Sequence, residues 1–175
     1  MTLEHLREAV SGFTTNEARD FFTEQLTEVV PILGRVEQPR VPLTKSELAY
    51  VSDVLTDAMP KPLHLDRISD LLNTHLCGPH PLVEGEIQEV AESTLLLCGF
   101  FHRAGRLRGK GEYDLSYFAN MGQFFYHQLY KRWGGRIQIL MYEHFHVWIN
   151  GLSLLDLHLE TQRRRRLLLR GVTLD

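Results

Sequence analysis

EGEIQEVAESTLLLCGFFHRAG (residues 84–105) and DLSYFANMGQFFYHQLYKRW (residues 114–133) decide how this chain folds. Both carry apolar side chains at three-and-four spacing, the repeat of a helix face. GRLRGKGEY (residues 105–113) links them, with Gly105, Gly109 and Gly111 too close together for regular structure. The reading is an antiparallel helix pair joined by a basic turn. In the first helix Ile87, Val90, Ala91, Thr94, Leu95, Cys98 and Phe101 form one stripe. Leu96, Leu97 and Phe100 add a second apolar side, so its C-terminal half reads as buried all round. In the second, Tyr117, Met121, Phe124, Phe125 and Gln128 lie on neighbouring faces, and Gly122 admits a close neighbour. Asp114 or Ser116 offers its cap, and Gly134 with Gly135 its end.

Upstream, residues 3–10 read as a short helix stopped by Gly12. Phe21, Phe22, Leu26, Val29, Val30 and Leu33 predict a helix over 16–33, capped by Thr15 or Asn16. Pro31 is expected to weaken its last turn, and Gly34 to stop it. Thr44 and Glu47 have the form of a capping box opening a helix with Leu48, Val51, Val54, Leu55 and Met59. Leu65, Ile68, Leu71, Leu72 and Leu76 predict another, closing near Cys77. Downstream of the central pair, Ile137, Leu140, Met141, His144, Val147, Trp148 and Gly151 share a face. They predict one long helix from Arg136 to Glu160, bending at Asn150 and Gly151. Nothing has the alternation and hairpin chemistry of a sheet. The fold expected is all-α, a single-domain bundle of six or seven helices over residues 1–162, with a basic tail at 163–175.

Composition sets limits on function. At 175 residues, 43% hydrophobic and 23% charged, the chain has the make-up of one soluble domain. No apolar run reaches the roughly 20 residues of a membrane-spanning helix, and the first residues lack a signal-peptide layout, so no membrane role is expected. Cys77 and Cys98 have no metal-type spacing, and a reducing cytoplasm is the expected location. The net charge of −3 hides an asymmetry. Residues 1–100 hold 7 Lys/Arg against 16 Asp/Glu, and residues 101–175 hold 12 against 6. An acidic half packing on a basic one explains this, and so does self-association or an acidic partner.

STLLLCGFF (residues 93–101), a short basic interval, then YDLSYFANMG (residues 113–122) followed by Tyr126, resembles a group of small bacterial proteins of unknown function. In that group a helix ending in Gly-Phe-Phe precedes a helix with spaced tyrosines and a Met-Gly pair. The similarity runs from SELAYVSDVL (residues 46–55) to about Glu160, and His102 stands where the group has proline. The resemblance implies a helical, bacterial, cytoplasmic protein and implies no activity.

Glu143 and His146 have the Glu-x-x-His spacing that gives a carboxylate-bridged metal pair two ligands from one helix. That chemistry needs two such motifs, and there is one. With 9 His and 14 Glu, chance supplies about 0.7 of them. His127, Glu89 and Glu92 are the residues placed to complete a site. Cys98, in the most apolar run, is a poor nucleophile, and His158 reads as solvated. No phosphate loop, nucleophile elbow or dinucleotide fingerprint is present. Arg106, Arg108 and Lys110 in the glycine turn read as solvated rather than anion-binding. Arg163, Arg164, Arg165 and Arg166 spread around a helix at about 100° per residue and cannot form one stripe. They read as a cap for the helix C-terminus that docks on the acidic half, with nucleic-acid contact the disfavoured alternative. The function expected is a non-enzymatic accessory protein that forms a homodimer or binds another protein, with no cofactor. The alternative is a helical enzyme holding a metal or ligand through Glu143, His146 and His127.

Overall fold

A computed structural model describes residues 3–39, 41–60, 68–71, 73–74, 82–101 and 115–169. The helices are α1 (Glu4–Ala9), α2 (Thr15–Val36), α3 (Lys45–Ala58), α4 (Glu84–Phe101), α5 (Leu115–Trp133), α6 (Arg136–Glu143) and α7 (Phe145–Leu169). Residues 68–71 and 73–74 are helical as well, which brings the count among the described residues to eight, one above the expected range. No strand occurs among the described residues, and the chain is an all-α single domain. The glycine turn at 105–113, Cys77, His64, His75, His80, Asp114 and half of the helix expected around Leu65–Leu76 lie outside the described residues.

Helix α4 is the axis of the bundle, packed against α5 and α7. Ile87, Val90, Ala91, Leu95, Leu96, Leu97, Cys98 and Phe100 are all buried, as its all-round apolar C-terminal half requires. Thr94 is buried among them and donates its hydroxyl to the Val90 and Ala91 carbonyls, 2.7 and 2.9 Å away. Gly122 lets α5 close on this point. A Cβ there would sit 2.4 Å from both Thr94 Oγ1 and Phe145 Cζ. On the other side of the core, α2 packs on α3 and α7. Phe22, Leu26, Val29 and Leu33 form its buried stripe.

Three local expectations are corrected. Thr14, not Thr15 or Asn16, caps α2, in a capping box with Glu17. The helix then runs through Pro31 and Gly34 to Val36. Pro31 is exposed, so the Thr27 carbonyl it leaves without a donor can meet water, and the Arg35 Nε donates to the Pro31 carbonyl at 3.2 Å. The third correction concerns the last segment, which is two helices. It breaks at His144, whose φ of −103° and ψ of 13° end α6, and the second helix continues through Asn150 and Gly151. Gly151 has a different purpose. A Cβ there would lie 2.8 Å from Leu33 Cδ1, so its small size lets α7 approach α2.

Candidate functional site

The break at His144 aims two side chains at one atom. His144 caps α6, its N–H donating to the Leu140 carbonyl at 2.9 Å. Its carbonyl accepts the Trp148 N–H, also at 2.9 Å, so α7 starts at once in a new direction. His144 Nδ1 then lies 2.7 Å from Glu47 Oε1, and the Trp148 indole N–H donates to the same oxygen at 3.1 Å. Oε1 accepts from the indole, and the His144 tautomer that carries its hydrogen on Nδ1 gives it a second donor. The other oxygen, Oε2, accepts the Thr44 N–H at 2.8 Å and the Thr44 hydroxyl at 2.9 Å. Glu47 is 0% exposed and His144 3%. A buried carboxylate with four donors is satisfied, and it ties the start of α3 to the α6–α7 junction.

One turn along α3, Tyr50 extends the polar seam. Its hydroxyl donates to Glu92 Oε1 at 2.8 Å and lies 3.3 Å from the Tyr126 hydroxyl. Gln88 Nε2 donates to the same Glu92 oxygen at 2.8 Å. Burial, then the charge of neighbouring groups, pushes both phenols well above the ordinary tyrosine range. Each therefore stays neutral and acts as a hydrogen-bonding core residue. Cys98 is likewise inert, its thiol pushed up to about 12 by burial.

The residues singled out for chemistry are elsewhere. Glu143 and His146 flank the buried His144 and are both exposed. His127 stacks on Tyr142, ring centroids 4.7 Å apart. Glu92 is held by Tyr50 and Gln88. Among the described residues no group of three or more His, Cys, Asp or Glu could hold a metal ion, so Glu143, His146 and His127 are not brought together. Of the basic run, Arg163 reaches Glu8 on α1 at 3.3 Å and Arg164 pairs with Glu160. Arg165 and Arg166 are exposed. The boundary drawn at residue 163 falls inside α7, which continues to Leu169. His158 is not simply solvated: it lies 3.2 Å from Glu28 and 2.7 Å from Gln162, linking α7 to α2.

From the sequence Glu47 reads only as a cap, and His144 only as a member of an apolar stripe. Both lie on apolar faces, Glu47 four residues before Val51 and His144 three after Met141. Two ionisable residues of opposite character, each on a buried face, were the signal that they pair. No helix among the described residues is long and apolar enough to cross a membrane. No family model, curated protein or solved structure matches the chain.

Proposed function

We propose that this is a non-enzymatic interaction protein that works as a self-associated assembly in the bacterial cytoplasm. One observation carries the reading: five aromatic side chains, Phe13, Tyr117, Phe124, Tyr130 and Trp133, are each more than a third exposed. Aromatic residues are enriched where proteins meet, because they contribute large contact area at low entropic cost. The polar groups of the core point the same way. Glu47, His144, Tyr50 and Tyr126 are engaged in bonds that hold helices together. The cytoplasmic part rests on cysteine usage, since Cys98 is a buried free thiol. Light scattering coupled to size exclusion tests the assembly. A mass of two or more chains at micromolar concentration is expected, and a monomer at high micromolar concentration overturns the reading.

A further inference from the structure

The C-terminal end of α5 and the start of α4 form one exposed surface. Arg132 joins them: its guanidinium donates to the Leu82 carbonyl at 3.4 Å and lies 5.8 Å over the Trp133 ring. Around this link Val83 is 63% exposed, Trp133 45% and Tyr130 40%. The chain then turns through Gly134 and Gly135, both at positive φ, so α6 opens with Arg136 beside the patch. Lys131, Arg136 and Glu84 are exposed and make no ion pair among the described residues. The patch thus has an apolar centre, cations on the α5–α6 side and an acid on the α4 side.

Resting on the self-association reading, we infer that this patch is the contact by which two copies of the chain meet around a two-fold axis. Charge complementarity selects the occupant. A two-fold interface uses the same patch twice, so it must be complementary to itself. An axis passing over Trp133 sets Arg136 against the partner's Glu84 and Glu84 against the partner's Arg136. It also stacks the apolar centres of Trp133, Tyr130 and Val83. A membrane of anionic lipid or a nucleic acid would meet Glu84 as a like charge, and Glu86 stands behind it in the first turn of α4. Tryptophan, tyrosine and arginine are also the residues that carry most binding energy at protein interfaces.

The test is sedimentation equilibrium of the full chain and four variants, with circular dichroism melts to confirm folding. Trp133→Ser should weaken dimerisation by about thirtyfold, the loss expected of an interface anchor. Arg136→Glu and Glu84→Arg should each weaken it by about tenfold, because each places like charges face to face. The double variant should return to within about threefold of wild type, a rescue that a merely structural effect would not give. A wild-type dimer untouched by Trp133→Ser, or a double variant as weak as either single one, overturns the surface and leaves self-association standing. A monomeric wild type overturns both. Binding of phosphatidylglycerol vesicles or an oligonucleotide, abolished by Arg136→Glu with the mass unchanged, would assign the patch to a polyanion and overturn the proposal.

Discussion

Two stretches of this chain, TTNE at residues 14–17 and TKSE at 44–47, build the same local device. In α2 the Thr14 N–H and hydroxyl donate to Glu17 Oε2 at 2.7 and 2.8 Å, and the Glu17 N–H donates back at 3.3 Å. In α3 the corresponding distances for Thr44 and Glu47 are 2.8, 2.9 and 3.2 Å. Locally the two are indistinguishable. The difference lies in the second carboxylate oxygen. That of Glu17 faces water, whereas that of Glu47 lies in the core and accepts from His144 and Trp148. A capping box is a matter of four consecutive residues, and a buried tie between helices is a matter of the whole fold.

The largest effect should come from removing the buried member. Glu47→Ala leaves His144, Trp148 and the Thr44 N–H without their acceptor, and is expected to cost about 3–5 kcal/mol in urea denaturation. Equal, small losses for Glu47→Ala and Glu17→Ala would break the comparison. Trp148→Phe keeps most of the ring but withdraws one donor from Oε1. A loss of about 1.5–3 kcal/mol is expected, as for a hydrogen bond to a charged group.

The core also sets the alkaline limit. A thiol raised in the folded state stabilises fully below its unfolded value and loses that contribution as pH rises toward the folded one. For Cys98 the window runs from 9.0 to about 12, and the slope should be about 1.4 kcal/mol per pH unit. Tyr50 and Tyr126, also raised, add to the loss above 10.0. Stability of Cys98→Ala should therefore begin to fall later, near the tyrosine range. An unchanged onset would contradict the burial argument. The smallest effect belongs to the exposed cap: Thr14→Ala should cost about 1 kcal/mol. Thr44→Ala, which strips the hydroxyl donor from a buried carboxylate and leaves the backbone N–H in place, should cost more than Thr14→Ala.

The same contrast explains what was legible in the sequence. The central pair, the all-round burial of α4, the close approach at Gly122 and the Thr44–Glu47 box all follow from spacing within one segment. Each is borne out by burial or bonding. The kink at His144 was not legible, because no glycine or proline marks it. Its cause is a partner 97 residues away in the chain. Asn150 and Gly151 carried the local signs of a bend, yet Gly151 is small to admit Leu33. The candidate site went the same way. In EHFH (residues 143–146) a spacing rule selects Glu143 and His146, which are exposed, and passes over His144, which is buried. Two exposed residues satisfy a pattern on one helix, but only the fold shows which ring meets a carboxylate.

A double-mutant cycle on Glu47→Gln and His144→Gln, measured by urea denaturation at neutral pH, tests most directly whether one buried carboxylate ties α3 to the α6–α7 junction. The predicted result is a coupling energy of at least about 1 kcal/mol, within the range found for residues in contact. Losses that simply add, to within about 0.5 kcal/mol, would contradict the tie.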